Sequence, residues 1–242
     1  MRVPRIYTPQ NLNDARELRL AEGPSRHLVK VLRMQVGRDL VVFNGRGGEY
    51  RARITAIDKR NVDIELLAFN EIERESPLHI TLGIGISKGE RMDWVMQKAT
   101  ELGVASISPL FTGRTEVKLS GERLEKKHHH WQQIVASTCE QCQRNRLPEL
   151  DPLQSLHDWL PQVTATRKFV LHHRAGGERL SAATRPESVA LLIGPEGGLD
   201  AGEISASQAQ GFEALALGPR VLRTETAPLV AISLLQHLWG DL

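Results

Sequence analysis

The chain has 242 residues, 40% of them hydrophobic and 25% charged, which is enough apolar material for one large domain or two modest ones and too much for a disordered chain. Its start, MRVPRIYTPQ, lacks the apolar stretch of a signal peptide, and the apolar run near the other end is broken by Ser233, Gln236 and His237; a secreted or membrane-spanning reading is set aside and a cytoplasmic protein expected. The net charge of +2 hides an asymmetry: residues 1 to 60 carry 13 Lys or Arg against 6 Asp or Glu, whereas the remainder carries 18 against 23, and so basic a first quarter favours a polyanionic partner such as RNA.

In chain order, a short helix is predicted to begin after Gly23-Pro24-Ser25. From Leu40 to Leu67 the pattern is that of strands with one wet face: Tyr50, Ala52, Ile54 and Ala56 alternate with Arg51, Arg53 and Thr55, and Val62, Ile64 and Leu66 alternate with Asp63 and Glu65. Turn residues at Asn44-Gly45-Arg46-Gly47-Gly48 and Asp58-Lys59-Arg60-Asn61 separate the runs. The charged stretch NEIERESP then interrupts the pattern, which places a domain boundary there, with a β domain over 1–72 and a second domain over 73–242.

Beyond it strands and helices alternate. Strands are predicted at His79–Ile86, Ser106–Phe111, Lys168–His172, Val189–Ile193 and Ala214–Leu217, and helices at Glu90–Leu102, Leu124–Gln143, Ala201–Gln210 and Ala227–Leu238, which is the rhythm of an α/β layer. In the first of these helices Met92, Val95, Met96, Ala99 and Leu102 share one face and belong to the core. Lys126-Lys127-His128-His129-His130 looks like a metal motif, but consecutive helical residues point in different directions, and no metal is expected. Cys139 and Cys142, one turn apart, cannot staple a domain together and agree with a reducing compartment.

Two constellations carry chemistry. Val189-Ala190-Leu191-Leu192-Ile193 reads as a buried parallel strand delivering the loop Gly194-Pro195-Glu196-Gly197-Gly198, the usual place for a ligand in an open α/β sheet. Glu196 and the absence of a GxxxxGK[ST] pattern disfavour a phosphate there. S-adenosylmethionine meets no such objection: it has no phosphate, carries a sulfonium cation, and offers an adenine edge that a close glycine backbone can read. The second constellation is LALGPRVLRTETA, Leu215 to Ala227, a strand ending in Gly-Pro and then a polar approach to an apolar helix.

IGPEGG followed by LGPRVLRTETA resembles the two carboxyl-terminal motifs of the SPOUT methyltransferases. RVPRIY, His27-Leu28 with Val31-Leu32-Arg33, Lys88-Gly89 with Arg91, KATELGV at Lys98 to Val104, and Glu140-Gln141 with Arg144 and Pro148 extend the likeness along nearly the whole chain to the 16S rRNA uridine-N3 methyltransferases. Cys139 stands where a small or acidic residue would be expected in relatives. The resemblance implies a PUA-like RNA-binding β-barrel over 1–72 and an α/β SPOUT domain with a trefoil knot over 73–242. It implies a homodimer without membrane or metal partners, S-adenosylmethionine as cofactor, and methylation at N3 of a uridine (1498 in the usual rRNA numbering) in 16S rRNA of the small ribosomal subunit.

By the same resemblance, Leu171, His172, Gly194, Pro195, Glu196, Gly197, Gly198, Leu217, Gly218 and Leu222 would line the cofactor pocket. N3 of uridine holds its proton at neutral pH, so transfer needs a base or cations that stabilise the anion, and Arg223 and Glu225 are the candidates. Arg223 would serve in electrostatic stabilisation or RNA positioning; Glu225 would accept the proton, orient the base, or simply favour the helix entrance. Arg2, Arg5, Arg26, His27 and Arg33, with Lys88, Arg91, Arg114 and Lys118, are the expected RNA contacts. Two rivals stand beside this reading: a ribose 2′-O-methyltransferase of the same superfamily, and a non-catalytic RNA-binding assembly factor.

Overall fold

The structure is a computed structural model that describes residues 3–13, 16–58, 60–172, 180 and 184–242. Among the described residues no helix is long and apolar enough to cross a membrane. The chain divides into two compact units: residues up to Glu75 together with Ala136–Leu147, and Ser76–Val135 together with Pro148–Leu242.

The first unit runs β1 (Arg5–Tyr7), β2 (Glu17–Arg19), α1 (Glu22–Arg26), a π-helical turn at His27–Val31, β3 (Asp39–Phe43), β4 (Glu49–Ile57) and β5 (Val62–Asn70). Its sheet has the order β1-β3-β4-β5-β2, with β1 parallel to β3 and the other pairs antiparallel. Leu40, Val42, Ala52, Ile54, Val62, Ile64 and Leu66 point into one core with Ile6, Leu12, Leu20 and Leu28, as the alternation requires. Ala56, expected inward, is exposed: a bulge between Ile54 and Ala56 adds a residue and reverses the phase of the strand. The first helix starts at Glu22 rather than after Ser25, because Gly23 and Pro24 fall in its first turn, where the missing proline N–H has no intrahelical partner to lose.

Ala136–Leu147 joins this unit through a backbone bridge between Arg46 and Arg146 and through side chains. The Tyr7 N–H donates to the Glu140 carboxylate at 2.8 Å, the Asn145 side chain accepts from Arg5 at 2.6 Å and donates to the Ile72 carbonyl at 2.6 Å, and Arg144 pairs with Glu75. Burial pushes the Glu140 carboxyl above its ordinary value, against the lowering influence of the Tyr7 N–H and the Arg5 charge. Cys139 and Cys142 are free thiols; the hydrogen bond between them, then burial, push the Cys139 thiol up, so it behaves as an inert core group.

The second unit contains β6 (His79–Gly85), α2 (Glu90–Glu101), β7 (Ser106–Phe111), most of α3 (Gly121–Cys142), β8 (Glu149–Leu150), β9 (Gln154–Ser155), α4 (Leu156–Trp159), β10 (Arg167–Leu171), β11 (Ser188–Ile193), α5 (Ala201–Ala209), β12 (Glu213–Leu215) and α6 (Ala227–Trp239). The sheet is parallel throughout, in the order β12-β10-β11-β6-β7-β8, with β9 also on β7. Both faces are covered, which explains the continuous apolar run of β11. On one face Ile80, Leu82, Ile84, Phe169, Val189 and Leu191 pack with Met92, Val95 and Met96 of α2 and Ala231, Ile232 and Leu235 of α6. On the other, Leu110, Val170, Ala190 and Leu192 meet Leu156, Trp159 and Phe212. Gly83 makes room for the Trp159 ring, since a Cβ there would lie 2.4 Å from it.

Asp93 of α2 ties this helix to α3. Its carboxylate accepts from Lys127 at 2.8 Å, His130 at 2.8 Å and the Trp131 indole at 2.9 Å. His128 instead faces the Leu150 and Asp151 carbonyls and His129 faces Gln133, so the three imidazoles diverge. Burial pushes the Asp93 carboxyl up, but the hydrogen bonds from Lys127, His130 and Trp131 and the Lys127 charge outweigh it and hold the group below its ordinary value. A depressed carboxylate contributes stability that is complete above the unfolded value of about 4 and is lost as pH falls through the lower folded value. Asp93→Asn is therefore expected to cost about 2 kcal/mol near pH 7 and to lower the melting temperature by roughly 4–8 °C, a gap that narrows toward pH 2.5. Melting curves across that range check it; a gap that stays constant would exclude the charged form as the source.

Candidate cofactor pocket and active site

A parallel sheet with both faces covered leaves its carboxyl-terminal edge as the place where loops can gather, because every strand there ends in carbonyls and its crossover has to turn away. In this unit the edge formed by three adjacent strands, β10, β11 and β12, opens into a cavity of about 470 Å³. Leu171 and His172 leave β10 into it, Gly194–Gly198 leave β11, and Leu217 and Gly218 follow β12. All ten residues expected at the cofactor, from Leu171 to Leu222, line this one cavity, and so do Arg223 and Glu225.

The loop after β11 is built by close backbone approach. The Gly198 N–H donates to the Pro195 carbonyl at 2.8 Å, closing a turn, and Gly198 takes φ +68°. A Cβ on Gly194 would lie 2.8 Å from the Gly198 carbonyl carbon and 2.8 Å from the Leu199 nitrogen, so the two arms of the loop meet where only a hydrogen fits. The residues that follow open α5 with a reciprocal cap: Asp200 accepts from the Glu203 N–H and Glu203 from the Asp200 N–H, each at 2.8 Å.

The second loop is pinned to the first by Thr224, a residue that sequence reasoning missed. Its buried hydroxyl lies 3.1 Å from the Gly194 carbonyl and 3.2 Å from the Ser87 hydroxyl at the end of the neighbouring β6 segment. A threonine inside LRTETA carries no periodic or motif signal of that role. Arg223, exposed, and Glu225, half-buried, flank Thr224 and border the cavity. Glu225 precedes the cap residue Thr226 of α6, so its carboxylate stands both at the helix entrance and on the cavity wall.

The basic residues expected to contact RNA sort differently. Arg91 lies at the pocket, donating to Glu196 at 2.9 Å with its Nε 3.8 Å from Glu225. The backbone N–H of Lys88 donates to Glu196 at 2.9 Å while its ammonium pairs with Glu116. Arg114 donates to the Gly197 carbonyl at 2.8 Å. Burial pushes the Glu196 carboxyl up, but the Lys88 N–H, its own N–H and the Arg91 hydrogen bond and charge hold it below the ordinary value. Arg91 and Arg114 thus hold the glycine loop through their side chains, and Lys88 through its backbone. Arg5 is withdrawn from the RNA set: its side chain is 7% exposed and bound by Glu49 and Asn145. Arg26, Arg33 and Lys118 are exposed and His27 is half-buried, whereas Arg2 lies outside the described residues. Among the described residues no group of three His, Cys, Asp or Glu is placed to hold a metal ion.

Residues 74–236 match the RNA methyltransferase domain family and residues 25–67 the RNA methyltransferase PUA domain family. The chain is 37% identical over 242 residues to the ribosomal RNA small subunit methyltransferase E of Buchnera aphidicola subsp. Schizaphis graminum, covering 100% of this chain and 98% of that one. Among solved structures, the ribosomal RNA small subunit methyltransferase E from Neisseria gonorrhoeae bound to S-adenosyl methionine matches with a TM-score of 0.91 at 37% identity, over 99% of each chain. A Legionella pneumophila protein in complex with the bound cofactor SAM matches with a TM-score of 0.94 at 43% identity, over 100% of each chain.

Proposed function

Because the chain belongs to the ribosomal RNA small subunit methyltransferase E family, we propose that it transfers a methyl group from S-adenosylmethionine to N3 of a uridine in 16S rRNA of the small ribosomal subunit. The observation that carries this reading is the convergence of both glycine-containing motifs, with Arg223 and Glu225, on one cavity at the ends of three adjacent parallel strands.

The residues present fit that cofactor. At Gly198 and Gly218, both at positive φ, an added Cβ would meet nothing within 4 Å, so the pocket offers bare backbone at these two points. Such a backbone can hydrogen-bond a heterocycle edge at close range. The Glu196 carboxylate, inside the glycine loop itself, disfavours a phosphate there. When bound, S-adenosylmethionine supplies an electrophilic methyl on a sulfonium. The chain's own residues then have two tasks. Glu225 takes the N3 proton, and Arg223 stabilises the charge that develops on O2 and O4 of the base. Thr224, between the two groups, is held by the Gly194 carbonyl, and placing base and cation beside the bound cofactor converts an encounter into an intramolecular step.

In this reading residues 1–72, which lie within the first unit, are the PUA-like RNA-binding part. Arg26, His27 and Arg33 meet the rRNA there, joined by Lys118 of the second unit. A trefoil-knotted chain, a homodimer and a cytoplasmic location belong to the same proposal, and the exposed apolar side chains of Val221 and Leu234 suit a second copy.

The test is methylation of small ribosomal subunits from a strain lacking this gene, with labelled S-adenosylmethionine and nucleoside mass spectrometry of the recovered rRNA. Label in 3-methyluridine is the expected result. Label in a 2′-O-methylated nucleoside would replace the acceptor atom, and cofactor binding absent altogether would leave a non-catalytic RNA-binding protein.

A further inference from the structure

Arg91 is the cation that reaches both halves of the pocket. It stands in the first turn of α2, where Met92, Val95, Met96 and Ala99 are fully buried, so the guanidinium projects from a fixed base. Its terminal nitrogen donates to Glu196 of the glycine loop at 2.9 Å, and its Nε lies 3.8 Å from Glu225 of the second loop. The same Glu196 oxygen also accepts the Lys88 N–H at 2.9 Å, just before the helix, where Gly89 supplies no side-chain cap. A carboxylate on a helix amino terminus and a guanidinium fixes the loop from two directions.

The two distances differ in kind. At 2.9 Å the bond to Glu196 is a full hydrogen bond; at 3.8 Å the contact with Glu225 is attraction without one. Glu225 thus feels a positive charge that orients it, yet keeps its oxygens free to accept. One guanidinium thus stands between two carboxylates, one on each loop of the pocket. We propose that Arg91 is a positioning residue for methyl transfer: anchored by Glu196, it aims the Glu225 carboxylate at the acceptor base and so links the cofactor loop to the proton-accepting group. The proposal rests on the reading of Glu225 as proton acceptor.

The experiment measures single-turnover methylation of unmodified small subunits with saturating S-adenosylmethionine, together with the affinities for cofactor and subunit. Arg91→Ala is expected to slow transfer about 10- to 100-fold while subunit affinity changes less than about 2-fold, a loss in kcat rather than KM. Arg91→Lys, which keeps the charge but not the fork, should recover a part of the rate. Glu196→Ala, which removes the anchor from the other side, should reproduce the loss without touching Arg91 itself. Arg91→Ala placed on Glu225→Gln should add less than about 2-fold, as for groups that act through one another. A raised KM with unchanged kcat would make Arg91 an RNA contact and overturn the proposal, as would full additivity with Glu225→Gln. If Glu225→Gln alone transfers at the normal rate, it is the acceptor reading that fails. If Glu225→Gln is slow and Arg91→Ala is not, the positioning role fails by itself.

Discussion

Gly194→Val is expected to lower the affinity for S-adenosylmethionine by about 100-fold or more, a loss of roughly 2.7 kcal/mol, while leaving the protein folded. The neighbours of the new Cβ are backbone atoms, the Gly198 carbonyl carbon and the Leu199 nitrogen, each 2.8 Å away, so no rotamer change relieves the contact. The arms of the loop have to separate, and with them the Gly194 carbonyl that Thr224 holds at 3.1 Å. Both loops of the pocket are therefore displaced by one substitution. Gly197→Ala is the matched control: its Cβ would meet the Arg114 side chain at 3.1 Å, a flexible chain that can move aside. Calorimetric titration of the two variants, with melting curves to verify folding, separates the cases. Equal affinities would mean that the loop closes on the ligand by some route other than the approach of Gly194 to Gly198.

The large features of this molecule were legible because they repeat. The period-2 pattern from Leu40 to Leu66, the apolar run Val189–Ile193 and the helical face of Met92, Val95 and Met96 each sum several residues into one signal, and the structure has all three. Short elements such as β8, β9 and α4 have too few residues to show a period. Ala56 failed for a different reason, since a bulge shifts phase without any mark in composition.

Charge was the least legible property. Arg5, Arg26 and Arg91 look alike in a sequence, yet one is buried on Glu49 and Asn145, one is exposed, and one is fixed on Glu196 beside the cavity. What a cation pairs with is decided by residues far along the chain. The return of Ala136–Leu147 to the first unit is of the same kind, since the Glu140 bond to the Tyr7 N–H spans 133 positions. It also means that deleting the amino-terminal residues would remove the Tyr7 partner of Glu140 and the Arg5 and Ile72 partners of Asn145, so point substitutions are the cleaner probe of function.

Glu225→Gln is expected to slow methyl transfer by about 100- to 10,000-fold with cofactor and subunit affinities held within about 3-fold. Glutamine keeps the size of the side chain and can still accept a hydrogen bond, but it cannot take up a proton, so an orienting role would survive the change and a base role would not. The contact with Arg91 at 3.8 Å weakens as the charge disappears, yet Arg91 remains fixed on Glu196, which keeps the pocket wall in place. Arg223→Ala provides the comparison. Arg223 is exposed at the rim, and its loss should cost about 100-fold through poorer stabilisation of the base anion. Single-turnover rates on small subunits decide between them. If Glu225→Gln retains the wild-type rate while Arg223→Ala is crippled, the N3 proton leaves to solvent and the enzyme works by stabilising the anion; if both are crippled, and the double variant is little worse than either, base and cation act as one unit on the same atom.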